Sequence, residues 1–324
     1  MLVSEFVKYR PPSESRSLLL RASRGCYWNR CGFCDMYRDT KFSFRPVAEI
    51  VGEIERIRRE VEETKVWAQE HGLAGHLMDV AYTNGMDFLE ADGTVRTAFI
   101  GDGDSLVMKT ADLVPVVEAL YRSFPTLERV TIYGMAHTIM HKTPADLRRL
   151  REAGLNRVHI GLESGADEVL ALTEKGATQA QMIEAARRVK EAGMELSMYV
   201  ILGLGGRERS AQHADGTAFV LNRAGQDFIR VRTLSIPSRT PLGELEQRGE
   251  FHRCSTEEIL QEERRLIAQL ECRSEFVSDH NSNHLALNGR LPQDRAALVG
   301  RIEEVLALPE SARRRQYAQV GGYV

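Results

Sequence analysis

The sequence predicts an α/β fold: an open, partial (β/α)6 barrel of the TIM-like kind, followed by a mostly helical extension. Two patterns carry that expectation. Six short β-rich runs alternate with helical stretches between about residues 17 and 234, and the alternation stops after Pro241. Parallel strands need crossover helices, so a strand-then-helix rhythm reads as a parallel sheet with helices outside. A closed eight-unit barrel takes roughly 250 residues, and six units in about 220 residues leave the barrel open.

The strands are expected at 17–21, 97–100, 129–133, 156–160, 195–202 and 228–234. Between the first two lies a helix over 46–69, with Val47, Ile50, Val51, Ile54 and Ile57 at helical spacing. The next helix, 110–124, opens on a threonine cap. Thr143-Pro144 reads as an N-cap followed by proline in the first helical position. Glu152-Ala153-Gly154 and Glu191-Ala192-Gly193 are glycine stops. Residues 72–95 follow no period and contain the turn signals Asn84-Gly85 and Asp92-Gly93, which suggests an inserted loop placed as a substrate lid. Beyond Pro241, helices are expected at 255–271 and 292–308, separated by a polar strip that includes Asp279, His280 and His284. The division into domains is therefore 1–16 as an N-terminal segment, 17–240 as the barrel and 241–324 as the extension.

Composition excludes several classes. Hydrophobic residues at 43% and charged residues at 27% describe a globular chain with an ordinary core. A net charge of −3 without a basic face argues against nucleic acid as a partner. No apolar run approaches the ~20 residues that span a bilayer. Residues 1–10 carry Glu5, Lys8 and Arg10 with no apolar core after them, unlike a signal peptide. The expectation is a cytoplasmic protein, where thiols stay reduced and five cysteines need a reading other than disulfides.

Three of the five, Cys26, Cys31 and Cys34, fall within nine residues directly after the first strand. In a parallel barrel that is the end where chemistry sits. Three thiolates on so short a loop can converge on one metal centre. A cubane iron–sulfur cluster ordinarily takes four cysteines, so three leave one iron open to another ligand. A Cys3His zinc site would need a nearby histidine, and the closest, His71 and His76, stand about 40 residues away. Phe33 supplies an apolar wall beside the last cysteine.

This segment resembles the radical S-adenosyl-L-methionine (SAM) superfamily. The spacing here is C-x4-C-x2-C, one residue longer in its first gap than the family's usual C-x3-C-x2-C. The resemblance covers roughly residues 17–235 and implies cofactors and sites. Gly101, Asp102, Gly103 and Asp104 occupy the place of the family's glycine-glycine-glutamate motif, which receives the SAM ammonium. Glu163 and Ser164 fall where a polar side chain bonds the ribose, and Lys175 where relatives resembling coproporphyrinogen oxidase carry a basic residue for the SAM carboxylate. Gly203 belongs to the fifth-strand glycine motif beside the adenine. Arg232, which with Arg230 lies on the sixth strand near its active end, reads either as a contact to SAM or an anionic substrate or as half of a buried structural ion pair.

The remaining clusters carry less. His137 and His141 share a helical face at i,i+4 but lack an acidic partner in a known metal pattern, so they read as polar lining. Cys254 and Cys272 are too few for a second cluster and read as inert thiols. What the resemblance implies is a [4Fe-4S] cluster that cleaves SAM reductively to methionine and a 5′-deoxyadenosyl radical, which takes hydrogen from an organic substrate. Its partners would be a one-electron donor such as flavodoxin or ferredoxin and a small or medium organic substrate. With only some 16 residues before the barrel, a cobalamin-binding domain is not expected. The residues leave the reaction after hydrogen abstraction open. They also leave open two other classes, an iron–sulfur electron-transfer or sensor protein and a zinc-stabilised interaction module.

Overall fold

A computed structural model of the chain describes residues 9–318, so that most of residues 1–10, on which the signal-peptide reading turned, lies outside the described residues. The chain divides into two compact units, of which the first holds residues 9–27, Asp39–Val158 and Ala192–Met194 and the second Trp28–Arg38, His159–Glu191 and 195–318.

In the first unit, β1 (Leu18–Arg21) leads to a two-residue strand β2 (Ser23–Arg24) that pairs antiparallel with β3 (Ser43–Phe44). Helix α1 (Val47–Glu70) buries Ile50, Ile54, Ile57 and Val61, the stripe its spacing predicts. Residues 72–95 are better ordered than their sequence suggested. They form α2 (Leu77–Thr83), which packs on α1, and they bury Leu77, Ala81, Met86, Phe88, Leu89 and Val95. A segment tied down by that much apolar area is part of the core and not a lid. Strand β4 (Thr97–Gly101), helix α3 (Thr110–Ser123), strand β5 (Arg129–Tyr133) and helices α4 (Ala136–His141) and α5 (Pro144–Glu152) follow. Thr143 caps α5 in a reciprocal box, its hydroxyl accepting from the Asp146 amide at 3.1 Å while the Asp146 carboxylate accepts from the Thr143 amide at 3.2 Å. Gly154 ends α5 at φ 110°, a conformation that favours glycine.

Strand β6 (Leu155–Glu163) begins in the first unit and ends in the second. The second unit continues through α6 (Asp167–Leu172), α7 (Gln179–Glu191), β7 (Glu195–Leu202), α8 (Gly206–Ala224) and β8 (Phe228–Thr233). It ends with α9 (Pro241–Gln247), α10 (Thr256–Ala268), the hairpin β9 (Ser274–Ser278) and β10 (Leu287–Leu291), α11 (Arg295–Ala307) and α12 (Glu310–Ala318). The sheet order is β1-β4-β5-β6-β7-β8-β9-β10. The pairs β1/β4, β4/β5, β7/β8 and β8/β9 are parallel, and β9/β10 is antiparallel. This mostly parallel sheet with helices between its strands is the partial TIM-like fold the sequence predicted, and the extension is mostly helical. The strip around Asp279 is the hairpin's turn. Its flanking strands gave no β signal because few of their residues are apolar: β9 buries Phe276 between Ser274 and Ser278, and β10 has Leu287 and Leu291 at its two ends with polar residues and a glycine between them.

Two positions in the second unit make quantitative expectations. Gly216 lies inside α8, where alanine would normally favour the helix by about 1 kcal/mol. A Cβ there would come 2.8 Å from the Gly165 carbonyl oxygen and 2.9 Å from the Ala166 backbone. Backbone cannot rotate aside, so Gly216→Ala is expected to destabilise by about 1–3 kcal/mol through overpacking. A lowered thermal midpoint checks this, and an unchanged or raised one refutes it.

Glu263 on α10 is fully buried. Burial pushes its carboxyl up from an ordinary 4.5 to about 7, with Glu262 adding to the rise and the bond from the Ser278 hydroxyl, at 2.6 Å, opposing it. The folded chain thus holds a proton between pH 4.5 and 7 that the unfolded chain releases. Stability is highest below that window and falls as pH rises through it, by on the order of 3 kcal/mol. Glu263→Gln should flatten that decline in urea midpoints measured from pH 5 to 8.

Candidate iron–sulfur and cofactor site

In the first unit the site begins at the end of β1. Arg21 donates from Nε and Nη2 to Asp102 Oδ2 at 3.0 and 2.6 Å, and the Gly25 amide donates to the same oxygen at 2.8 Å. The Gly103 amide returns a bond to the Gly25 carbonyl at 3.3 Å. A Cβ on Gly103 would stand 2.5 Å from Cys26 Cβ and 2.8 Å from its Sγ, so only glycine lets the turn after β4 lie against that cysteine. Asp102 is fully buried, at φ 70°. Asp104, also buried, accepts from the Met135 amide at 3.2 Å and the Thr138 hydroxyl at 2.5 Å. Both motif acids therefore hold internal donors. Asp102 ties the end of β1 and the start of the cysteine loop to the turn after β4, and Asp104 ties that turn to α4.

The second unit holds the rest of the cysteine loop. The Cys34 amide donates to the Cys31 carbonyl at 3.1 Å, which closes a turn around Gly32 and Phe33. Arg38 binds the same two residues, donating from Nε to the Cys34 carbonyl at 3.1 Å and from Nη2 to the Cys31 carbonyl at 2.9 Å. The Gly32 amide donates to the Thr173 carbonyl at 2.7 Å, and the Leu242 amide donates to the Gly32 carbonyl at 2.9 Å. Trp28 Nε1 donates to the Glu174 carbonyl at 2.7 Å, its ring lying where a Cβ on Gly176 would sit. Phe33 packs on the apolar cluster of Ala166, Val169, Leu204, Ile236, Leu242 and Phe251. The three cysteines are each partly exposed. Among the described residues no three His, Cys, Asp or Glu side chains stand together as a ready metal-holding set.

At the end of β6, Glu163 takes φ 61° and accepts from Lys175 Nζ at 3.0 Å, both side chains largely buried. Gly161 makes room for the pair, since a Cβ there would fall 2.0 Å from Glu163 Oε1. Ser164 turns elsewhere. Its hydroxyl meets His213 Nδ1 at 2.8 Å, and His213 Nε2 lies 3.5 Å from Glu262 Oε1. That oxygen accepts from the Gly203 amide at 2.6 Å, while the Ser210 hydroxyl holds Oε2 at 2.5 Å. Two sequence candidates, Ser164 and Gly203, are thus joined through a buried network. Its centre, His213 and Glu262, carried no signal in the sequence, because neither stands in a motif. Burial holds His213 below the usual imidazole range.

The remaining histidines and cysteines are engaged locally. His141 donates from Nδ1 to the His137 carbonyl at 2.6 Å, so the two imidazoles do not act as a pair. Burial pushes the Cys254 thiol up to about 12 and raises that of Cys272, which makes both poor nucleophiles and ligands. Asp279 accepts from Asn288 at 3.1 Å, His280 bonds Ser282 and His284 meets the Tyr317 ring, so that strip does not converge.

The first of the parallel strands is thus followed by a loop that carries three cysteines within nine residues. The radical SAM superfamily model matches residues 20–212, more than half of the chain, and the chain belongs to that family. Its members use a [4Fe-4S] cluster and SAM. Among curated relatives, the heme chaperone HemW of Bacillus subtilis (strain 168) is 23% identical over 160 residues, which is 49% of this chain and 41% of the relative. Among solved structures, coproporphyrinogen III oxidase (HemN) from Escherichia coli, a radical SAM enzyme, matches with a TM-score of 0.50 at 16% identity, over 78% of this chain and 52% of that one. HydG, a maturase of the [FeFe]-hydrogenase, matches at 0.48 and 15% identity, over 78% and 48%. The match thus spans about two fifths of the curated relative's length and about half of each solved chain. Among the described residues no helix is long and apolar enough to cross a membrane.

Proposed function

We propose that Cys26, Cys31 and Cys34 hold a [4Fe-4S] cluster and that the chain is a cytoplasmic enzyme that cleaves SAM reductively to act on a small or medium organic substrate. The observation that carries this reading is where the backbone is strained. Among the described residues, the non-glycine residues with positive φ are Asn29, Asp102, Glu163 and Glu174. Each lies in a segment singled out for this chemistry: the cysteine loop, the turn after β4, the end of β6, and the residue before Lys175. Strain of this kind costs about 1–3 kcal/mol per residue, persists only where the surrounding structure over-determines the backbone, and clusters at active and ligand-binding sites.

The donor set suits the cluster: three partly exposed cysteines within nine residues, on a loop whose carbonyls are fixed by Arg38 and whose phenylalanine is anchored in an apolar cluster. When bound and reduced, such a cluster would supply one electron to the SAM sulfonium, whose cleavage would give methionine and a 5′-deoxyadenosyl radical. The protein's part is to position and to exclude water. Glu163, held by Lys175, presents a carboxylate for the ribose hydroxyls. Gly101 and Gly103 allow close backbone approach to the ammonium, and Gly203 to the adenine. Ser164 acts through His213 and Glu262 to fix the segment after β7. The electron comes from a one-electron donor of the flavodoxin or ferredoxin kind.

A second reading, carriage without catalysis, rests on the curated relative named as a heme chaperone. One experiment separates the two. The protein is reconstituted anaerobically with iron and sulfide, reduced with dithionite and given SAM. Formation of 5′-deoxyadenosine supports the enzyme, and a well-formed cluster that yields none supports carriage. Binding of zinc in place of iron would defeat both.

A further inference from the structure

We infer that Arg230 and Arg232 on β8 form a binding site for an anionic group, a carboxylate or phosphate, carried by the substrate. The assignment to a substrate rests on the enzyme reading above, but the site itself does not. Two residues apart on a strand, both side chains leave the same face, and both are partly withdrawn from water. Arginine so placed is ordinarily paired. Arg21, Arg45 and Arg129 follow that rule, with Asp102, Glu53 and Glu14. Arg230 and Arg232 do not, for among the described residues neither has a carboxylate partner.

What holds them leaves their donors in place. The Arg232 guanidinium lies 5.6 Å from the centre of the Tyr199 ring, and that of Arg230 lies 5.4 Å from the Phe228 ring. An aromatic face attracts the cation without accepting its N–H groups. Arg230 gives only Nε, to the Ser197 hydroxyl at 3.1 Å. The outer edges of both forks therefore keep the geometry that binds carboxylate or phosphate in bidentate fashion. The acids of the adjoining β9 and its turn are engaged away from the pair: Glu275 with Arg290 at 4.0 Å, and Asp279 with Asn288 at 3.1 Å. His280 adds a neutral imidazole beside Arg232, kept below its usual range by burial and by that arginine's charge. Its Nδ1 accepts from the Ser282 amide at 3.1 Å, which places the ring proton on Nε2 as a further donor.

The anion has two possible sources, a substrate or the carboxylate of SAM. Arginine labelling by phenylglyoxal separates them on the cluster-loaded protein, with each site followed by peptide mass spectrometry and the well-exposed Arg290 as reference. Millimolar inorganic phosphate should slow labelling of Arg230 and Arg232 several-fold and leave Arg290 unchanged, whereas SAM should leave all three unchanged. Protection by SAM as strong as that by phosphate would assign the site to SAM and overturn the substrate claim. Protection by neither would overturn the site. Labelling does not depend on turnover. Intact protection in a preparation that forms no 5′-deoxyadenosine would therefore count against the enzyme reading alone.

Discussion

Cys31→Ala is expected to abolish 5′-deoxyadenosine formation and most iron retention while moving the thermal midpoint by no more than a few degrees. Cys26→Ala and Cys34→Ala should do the same. Three thiolates are the fewest that leave a cubane cluster one open iron, and two do not hold it. The fold should survive because the loop is fixed by other groups. Arg38 grips the Cys31 and Cys34 carbonyls, Thr173 and Leu242 bond the Gly32 backbone, and Phe33 sits in an apolar cluster. Alanine keeps every one of these, as well as the Cys26 Cβ that rests against Gly103. A partly exposed thiol contributes about 0.5 kcal/mol or less to folding. Cys254→Ala and Cys272→Ala serve as controls, since burial keeps both thiols protonated and both variants should retain activity. Iron content, deoxyadenosine yield and a melting curve on the same samples decide the matter. Wild-type cleavage by Cys31→Ala would remove the cluster assignment.

How far the sequence could be read follows from which forces leave a local mark. Helical spacing in α1, the threonine cap at Thr143 and the stop at Gly154 are local, and the structure places each where the pattern puts it. The parallel strand β7 was equally plain, because burial on both faces writes the apolar run at 198–202. The cysteine loop was legible as chemistry because its spacing is rare. Interactions between distant residues were not. Nothing near Asp102 announces that Arg21 and Gly25 will occupy its carboxylate. Nothing near Ser164 or Gly203 points to His213 and Glu262, 49 and 59 residues further on respectively. The hairpin β9/β10 escaped for a similar reason: its strands are defined by their pairing, with Leu287 opposite Ser278 and Leu291 opposite Ser274, more than by their composition.

The Glu163–Lys175 pair is the place where such a long-range contact should matter most. The two side chains are only 13% and 8% exposed and meet at 3.0 Å. Lys175→Met would leave the Glu163 carboxylate in a site with little water and without this counter-charge. Breaking a buried pair from one side costs about 3–5 kcal/mol, whereas replacing both charges is close to neutral. Lys175→Met is therefore expected to be strongly destabilised, and the double variant Glu163→Gln with Lys175→Met to recover most of the loss. Gly161→Ala should resemble the single variant, because its Cβ would land 2.0 Å from Glu163 Oε1 and force the carboxylate off the lysine. Urea midpoints for the set measure the coupling. If instead Lys175 serves mainly the SAM carboxylate, Lys175→Met will fold with wild-type stability and lose SAM affinity by itself, and the double variant will recover nothing. The observed bond favours the first result. Glu163 makes that bond from left-handed backbone at φ 61°, a conformation uncommon for a non-glycine residue that the bond to Lys175 helps to hold.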